Sequence, residues 1–476
     1  MALSDHVIAL VEELDRVHPE GIANWTVRKP GEFSNFVTAE NGQVRLFTPL
    51  ALKEMAAIAN LLYDNDADWN AAAERQVFHE QVRRCIANLH ALNLLANPKA
   101  DDAREARNRI RERLHQQLAS VAVTFVHHIP CWTTTVSPGN EFVMGPVTFR
   151  TVADWIDWVD FQPDAYSMGT AEAQEANKEW RVVLKTSLAT KQYESDKRPL
   201  GFAGDLDKAL SECPAVATVT VMGYELGLSK KFAHAVSQAA LDSIGLALGL
   251  PDIFVFQILG SGRAEPFHWT SIVGTPEGLG FPGFSRTRRA RRLDPAQTRE
   301  RLTQVTPLLT QESAMLASLL QPASYSHPQL ASRWLTALQW LADGHREPDD
   351  AIAVAMLGTA LDTLAAGGKA AGITEMLENL LGIAKTDSFI QGPRGVQNLG
   401  QVVSDVYDSG RSKILHGTHY QRLKRFEELR ELALHVVPDA LVEAAMRLGA
   451  YTGPDTVNTA FRKMTPGSAP TTATTP

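Results

Sequence analysis

At 476 residues the chain is longer than one ordinary core can organise, so two or three domains are expected. Its hydrophobic content of 44% and charged content of 21% are typical of a soluble globular protein, and no apolar run reaches the ~18 residues that a membrane span requires. The formal net charge of -8 argues against a protein that coats nucleic acid through bulk positive charge, although a local site is compatible with it. The 3 cysteines are far apart and lack CxxC spacing, which argues against a disulfide framework and against a cysteine-based zinc site.

The first 120 residues are predicted to form a mostly helical region. The opening segment MALSDHVIALVEELDRVHPE has the pattern of an amphipathic helix capped by Ser4, and it lacks the basic start and cleavage site of a secretory signal. We therefore predict a cytoplasmic protein with no membrane partner. Further helices are predicted over 50–63, 69–95 and 101–118.

Residues 121–302 are predicted to form an α+β domain. Val, Ile, Phe and Thr dominate several short segments with turn residues between them, which is typical of strands. The predicted strands are AVTFVHH, EFVMGPVTFRT, WRVVLKT, VATVTVMG and IFVFQI, and a helix over 229–248 interrupts them.

Two polar clusters within this region have competing interpretations. His127, His128 and Cys131 could bind a metal only with further ligands, and adjacent strand residues point to opposite faces, so a structural role is preferred and no metal site is predicted. A cluster of five arginines could bind the phosphates of RNA or of a small anionic signal, or could equally form a solvated loop or an anchor for acidic residues. Its members are Arg286, Arg288, Arg289, Arg291 and Arg292.

The remainder of the chain is predicted to be helical. A connecting helix and a breaker-rich linker occupy 303–328, and a bundle of antiparallel helices follows over 329–450. Pro438 is expected to kink or restart the last helix of that bundle. Residues 451–476 are rich in Thr, Pro and Ala, and we predict a disordered tail.

The fourth helix of the bundle contains VYDSGRSKILHG, in which Arg411 and His416 have an Arg-x4-His spacing. This spacing alone is weak, because it recurs from Arg263 to His268 and from Arg430 to His435. The first recurrence contains a proline in a predicted loop and the second lacks distinguishing neighbours, so both are interpreted as chance.

The residues around Arg411 extend the pattern well beyond two positions. The run from Tyr407 to Gly417 resembles the Tyr-x-x-x-Arg-Ser-Lys-Ile-Val-His-Gly signature of HEPN ribonucleases of the Apea-like group. The preceding stretch SRWLTALQWLADGHREPDDAIAVAMLGTALDTLAAG is similar to the same family in its Trp-bearing helix, acidic turn and long second helix. Two positions depart from the family: Asp362 replaces the usual Glu, and Gly410 replaces a larger apolar residue.

The resemblance implies an all-α HEPN bundle that cleaves RNA without a metal or other cofactor, by attack of the ribose 2′-OH on the adjacent phosphate. A histidine exchanges protons near neutral pH, and an arginine can hold phosphate oxygens through two parallel hydrogen bonds, so His416 and Arg411 suit the two roles. On an ideal helix two residues five apart point about 140° away from each other. One helix therefore does not direct both side chains at one phosphate. The resemblance implies that two copies of the helix pack across a homodimer axis and share one cleft, which contains Arg411 and His416 from each copy.

Five nearby residues are candidates for supporting roles, although each also has a structural or solvent-exposed alternative: Asp362, Tyr407, Ser412, Lys413 and His419. The resemblance further implies a toxin or anti-phage (abortive infection) effector. In that interpretation the α+β region 121–302 is a sensor or regulatory domain that responds to a phage-derived or small-molecule trigger, or a cognate inhibitor silences the protein. The alternative function is a non-catalytic HEPN scaffold for dimerisation or interaction.

Overall fold

The computed structural model describes residues 2–19, 35–95, 100–160, 178–190, 199, 201–210, 212–250, 253–262, 269–270, 273–276, 278–280, 284–285, 294–392, 395–419 and 424–466. The chain divides into two compact units. The first comprises Met1–Val126 and Thr220–Ala233, and the second comprises His127–Val219 and His234–Pro476. The domain boundaries predicted from the sequence remain predictions.

The first unit is a helical core with one antiparallel hairpin. Its helices are α1 (Leu3–Val17), α2 (Pro49–Asp64), α3 (Ala67–Ala72), α4 (Arg75–Ala91) and α5 (Ala100–Val121), and its strands are β1 (Asn35–Thr38) and β2 (Val44–Phe47). Helix α1 begins at Leu3, with Ala2 as its N-cap, so the predicted cap at Ser4 is wrong by two residues. Trp69 and Phe78 are fully buried and meet edge to face at the centre of this core.

A five-stranded sheet has the strand order β4-β5-β6-β3-β7. Its strands are β3 (Thr124–Trp132), β4 (Phe142–Met144), β5 (Val147–Thr151), β6 (Ala215–Met222) and β7 (Ile258–Leu259). The associated helices are α6 (Val152–Trp158), α7 (Trp180–Thr190), α8 (Gly201–Leu210) and α9 (Leu226–Leu248). The predicted mixture of helix and strand is therefore confirmed. Two small strand pairs follow, β8 (Trp269–Thr270) with β11 (Phe284–Ser285) and β9 (Val273–Thr275) with β10 (Gly278–Gly280).

Two predicted strands are wrong. WRVVLKT lies in helix α7, whose buried residues Trp180, Leu184 and Ser187 follow the helical spacing of four and three. IFVFQI is mostly not a strand, because Ile253–Val255 is a 3-10 turn and only Ile258 enters the sheet. Both segments are short and rich in apolar residues, which suggests a strand, but their buried positions do not alternate as those of a half-buried strand would.

The C-terminal region is a set of packed helices. They are α10 (Pro295–Gln304), α11 (Thr306–Leu320), α12 (Pro328–Arg346), α13 (Asp350–Leu364), α14 (Lys369–Leu381), α15 (Leu399–Val403), α16 (Lys413–Leu415) and α17 (Glu427–Ala450). A π-helix over Ser404–Ser412 joins α15 to α16, and we call the continuous run from Leu399 to Leu415 the site helix. Trp334 is fully buried and donates a hydrogen bond of 2.8 Å from Nε1 to the Leu441 carbonyl, which ties α12 to α17.

Three details differ from the sequence-based picture. The predicted all-α bundle also contains a hairpin, β12 (Ser388–Gly392) with β13 (Gly395–Asn398). Helix α17 continues through Pro438, which excludes the predicted restart and leaves the predicted kink as a prediction. Residues 451–466 are ordered, unlike the predicted tail, because Phe461 is fully buried and Arg462 donates to the carbonyls of Ala365, Ala366 and Gly367 at the end of α13.

In the part of the chain with described coordinates, no single helix has both the length and the apolar composition of a membrane span. The pair α13 and α14 meets that test only when the two are taken together, and they are bent by 68° relative to each other.

Candidate active site

Arg411 of the site helix forms a hydrogen-bonded ion pair with Asp362 of α13. The Arg411 Nη2 donates to Asp362 Oδ2 at 2.9 Å, and both side chains are 18% exposed. Helix α13 is fixed at its start by Asp349, whose carboxylate accepts from the backbone N–H groups of Ala351 and Ile352. Asp362 lies three turns further along this helix, so its position follows from a well-capped element.

Two glycines permit the close approach of these helices. A Cβ atom at Gly358 would lie 2.6 Å from Arg411 Cβ, and one at Gly410 would lie 2.5 Å from Val354 Cγ1. Gly410, which departs from the larger apolar residue of the family signature, thus permits close helix packing, and Gly358 is its counterpart on α13. Larger side chains at either position would push Arg411 away from Asp362.

Arg411 lies within a π-helix of 9 residues, so the ideal α-helix assumed from the sequence is wrong over Ser404–Ser412. A π-helix forms hydrogen bonds from i to i+5 rather than i to i+4, and such segments often occur at functional sites. The α-helix resumes over Lys413–Leu415, so the backbone between Arg411 and His416 is mostly regular, and the separation of about 140° expected for the two side chains stays a prediction.

Tyr407 completes the surroundings of Arg411 from the same helix. The guanidinium carbon of Arg411 lies 5.3 Å from the centre of the Tyr407 ring, and Nη1 lies 3.4 Å from the phenol oxygen. Burial, together with the neighbouring Asp362 carboxylate, raises the pKa of Tyr407. Tyr407 therefore remains a neutral phenol at physiological pH and helps to orient Arg411.

Arg411 and Asp362 lie on an open groove of about 540 Å³ between α12 and α13. One oxygen of Asp362, Oδ1, is buried and has no hydrogen-bond partner among the described residues. The other polar groups of the groove were not identified from the sequence, because isolated hydroxyl residues on helices have no distinguishing pattern. They include Gln329, Ser332, Arg333, Thr336, Thr359 and Thr363.

His416 does not line this groove. It is exposed, follows the last turn of α16 and precedes Gly417, whose φ of 66° is the left-handed conformation of a helix C-terminus. Among the described residues its imidazole makes no hydrogen bond and no ion pair. Within one chain the structure therefore does not converge Arg411 and His416 on one groove.

The remaining predicted residues of the site helix have varied positions. Ser412 is half-buried and Lys413 is exposed. His419 packs edge to face against Phe426 with ring centres 4.8 Å apart, which fits its structural alternative. Neither Ser412, Lys413 nor His419 lines the groove of Arg411.

The other predicted clusters contribute nothing to this groove. The five arginines from 286 to 292 and the pair Arg263 and His268 lie outside the described residues. His128 is half-buried and its Nδ1 accepts a hydrogen bond of 3.1 Å from Trp155 Nε1, and burial lowers its pKa. Cys131 is fully buried, which raises its pKa. In the described ranges no group of 3 or more His, Cys, Asp or Glu residues is arranged to hold a metal ion.

Comparisons with known proteins returned no relative. No family model, no curated protein and no solved structure matches the chain. The resemblance to HEPN ribonucleases therefore rests on the residues around Arg411 and His416 and on the order of the helices before them.

Proposed function

We propose that the protein is a HEPN-type endoribonuclease that cleaves RNA without a metal ion, with Arg411 and His416 as its catalytic residues. The observation that supports this best is the position of Arg411, held by Asp362 and Tyr407 on an open groove, while His416 stands exposed five residues further on. Both lie inside the signature-like run from Tyr407 to Gly417. An ordered arginine cation and an accessible histidine are the two side-chain types that suit phosphoryl transfer.

The proposed reaction is an internal transesterification. The ribose 2′-oxygen attacks the adjacent phosphorus and loses its proton to a histidine, while the bond from phosphorus to the 5′-oxygen breaks and that oxygen gains a proton. The products are a 2′,3′-cyclic phosphate and a 5′-hydroxyl end. Arg411 would stabilise the charge that develops on the phosphate oxygens through two parallel hydrogen bonds.

We propose that a homodimer assembles the complete cleft, because His416 and Arg411 do not share a groove within one chain. Apolar residues near the end of the site helix support such an interface. Leu415 is 55% exposed and Ile352 is 46% exposed, and they belong to α16 and α13, which pack against each other. Exposed apolar residues beside a polar site are typical of protein interfaces.

A non-catalytic HEPN scaffold is the second candidate, and one observation favours it. Arg411 is already paired with the Asp362 carboxylate, so a phosphate would have to compete for or share its guanidinium. In this alternative the same exposed surface binds a second copy or a partner protein, and Arg411 serves only to join α13 to the site helix.

The biological context that we propose is a cytoplasmic toxin or anti-phage effector. In that role the N-terminal region would restrain the nuclease until a phage-derived or small-molecule trigger appears, or a cognate inhibitor would silence it. The predicted arginine cluster from 286 to 292 is retained as a candidate phosphate-binding segment in this proposal.

The first test of function incubates the purified chain with a mixture of cellular RNAs in EDTA and determines the chemistry of the new ends. We expect cleavage that leaves cyclic phosphates and 5′-hydroxyls, and we expect an RNA with a 2′-deoxy substitution at a mapped cleavage position to resist cleavage there. New ends that carry 5′-phosphates, or cleavage of the 2′-deoxy substrate, would exclude the proposed reaction.

A matched test addresses the dimer. Leu415→Glu introduces a charge into the proposed interface. The control variant Val396→Glu introduces the same charge outside that interface, at a residue that is 60% exposed on the β12–β13 hairpin. We expect Leu415→Glu alone to convert a dimer into a monomer in sedimentation experiments and to abolish RNA cleavage. A Leu415→Glu protein that stays dimeric and active would show that the interface lies elsewhere.

A further inference from the structure

A second groove lies in the first unit of the molecule. It has a volume of about 710 Å³ and is formed by strand β1 and helices α4 and α5. This volume is within the range of ~300–1,000 Å³ that is usual for small-molecule sites. The groove belongs to the N-terminal helical region and shares no residue with the groove of Arg411.

Three arginines line this groove against one acidic residue: Arg83, Arg84 and Arg113, with Glu40. Glu40 accepts two hydrogen bonds from Arg113 Nη2, of 2.5 and 2.7 Å, and a third from Asn88 Nδ2 at 3.0 Å. Glu40 thus neutralises Arg113 and fixes it at the wall. The lining has an excess of two positive charges, from three arginines and one glutamate, in a chain whose net charge is -8.

Arg83 and Arg84 are not neutralised in this way. Within the described residues neither guanidinium forms an ion pair. Two polar atoms at the groove, Arg83 Nε and Gln117 Oε1, are buried and lack hydrogen-bond partners in the described part of the chain. Buried polar atoms normally have a partner, so a bound molecule would satisfy what the protein leaves open.

We propose that this groove binds the phosphate groups of a small phosphorylated ligand of nucleotide size. Guanidinium groups match phosphate oxygens in geometry and charge, and Arg83 and Arg84 supply two that the protein itself does not use. The groove also has an apolar edge, where Phe36 is 54% exposed and could contact a flat ring. The inference is independent of the nuclease proposal, and it would place a small-molecule sensor in the first 120 residues.

The test measures binding of ATP, pyrophosphate and adenosine to the purified full chain by calorimetry. We expect both phosphorylated probes to bind and adenosine not to bind. The double variant Arg83→Gln/Arg84→Gln should raise the Kd of ATP at least tenfold, because charge-assisted hydrogen bonds are lost. The control variant Arg104→Gln/Arg111→Gln removes the same charge from exposed positions of α5 outside the groove and should leave the Kd within about twofold.

Several outcomes would overturn the proposal. They are an absence of ATP and pyrophosphate binding to the wild type, adenosine binding as tight as that of ATP, or an equal loss of affinity in the two double variants. Arg84→Gln alone guards against misfolding, because Arg84 is exposed and its loss leaves the core intact. We expect it to weaken binding several-fold with an unchanged unfolding midpoint, and an unchanged affinity would contradict the site. Tighter binding of ATP than of pyrophosphate would assign the ligand to nucleotides, and equal binding would assign it to polyphosphates.

Discussion

Two arginines of the C-terminal bundle begin an Arg-x4-His spacing, and their surroundings differ. The side chain of Arg430 is 5% exposed, and it donates to Asp350 and to the carbonyls of Gly344 and His345. The side chain of Arg411 is 18% exposed, lines an open groove and donates to Asp362. The same sequence spacing therefore serves two different environments.

The acceptors explain the difference. Gly344 and His345 are in the last turn of α12, and Asp350 begins α13, so Arg430 fastens the turn between two helices and caps the carbonyls of the first. The acceptor of Arg411 is Asp362, which lies within α13 and lines the open groove. A spacing motif becomes informative only when the environment of its arginine is known.

Arg430→Ala should produce the largest change in stability. It leaves the buried Gly344 carbonyl and the part-buried His345 carbonyl without their donor, and we expect the free energy of unfolding to fall by about 3 kcal/mol, discounted for the partly exposed Asp350. Chemical denaturation would measure the change. The control Arg425→Ala removes an exposed arginine and should cost less than about 0.5 kcal/mol. Equal stability of the two variants would break the assignment of Arg430 as a structural residue.

Gly358→Ala tests the packing beneath Arg411. In an open helical position this substitution usually stabilises by about 0.5–1 kcal/mol. Here the new Cβ would lie 2.6 Å from Arg411 Cβ, so we expect a destabilisation of about 2 kcal/mol and a loss of RNA cleavage. A stabilised protein with full activity would show that the contact between α13 and the site helix is unimportant.

Asp362→Asn separates an orienting role from a blocking one. If Asp362 positions Arg411, its conversion to the amide should lower kcat/KM for RNA about tenfold with little change in KM, which corresponds to about 1.4 kcal/mol. Asp408→Asn removes the same charge from an exposed position and should have no effect. An activity increase in Asp362→Asn would mean that the carboxylate competes with the substrate phosphate.

The smallest expected effect is on the pH dependence of local stability around His18, which is buried in the first unit, whereas His416 is exposed. His18 donates from Nδ1 to the Leu14 carbonyl and accepts from the Leu46 N–H at Nε2, each at 2.8 Å, and burial lowers its pKa from the ordinary 6.5. The folded state thus favours the neutral ring, and this contribution to stability is present above pH 6.5 and is lost as the pH falls.

Hydrogen exchange measures this effect. After correction for intrinsic rates, the Leu46 amide should lose protection between pH 7 and pH 5, and His18→Gln should reduce the difference. His416→Gln changes an exposed imidazole and should leave it unchanged. If protection of the Leu46 amide in the wild type were independent of pH, this would contradict a neutral His18 ring that makes two hydrogen bonds.

Much of the helical structure could be predicted from the sequence because period and caps coincide. The bundle predicted over 329–450 contains helix α13, which is capped by Asp349 and ends near the Gly367–Gly368 pair, and the apolar Val402, Val403 and Val406 of the site helix are buried. The errors have a common cause. The apolar segments at 180–186 and 253–258 are short, and short apolar runs do not distinguish strand from helix. The burial of Phe461 depends on a tertiary contact that local composition cannot reveal.

The candidate site was predicted in part. The sequence identifies Arg411 and Asp362, and the structure joins them at 2.9 Å. The π-helix has no local sequence signal, and Thr336 and Thr359 line one groove with Arg411 only because α12 and α13 pack against each other.

The most direct test compares the two Arg-x4-His pairs in one assay. Arg411→Ala, His416→Ala, Arg430→Ala and His435→Ala would be assayed on one RNA in EDTA, each below its unfolding temperature. We predict that the first two lower kcat/KM by about 10²–10⁴-fold, and that His435→Ala and folded Arg430→Ala stay within about threefold of wild type. Equal activity of His416→Ala and His435→Ala would contradict the account, because the signature residues would then do no more than the chance match.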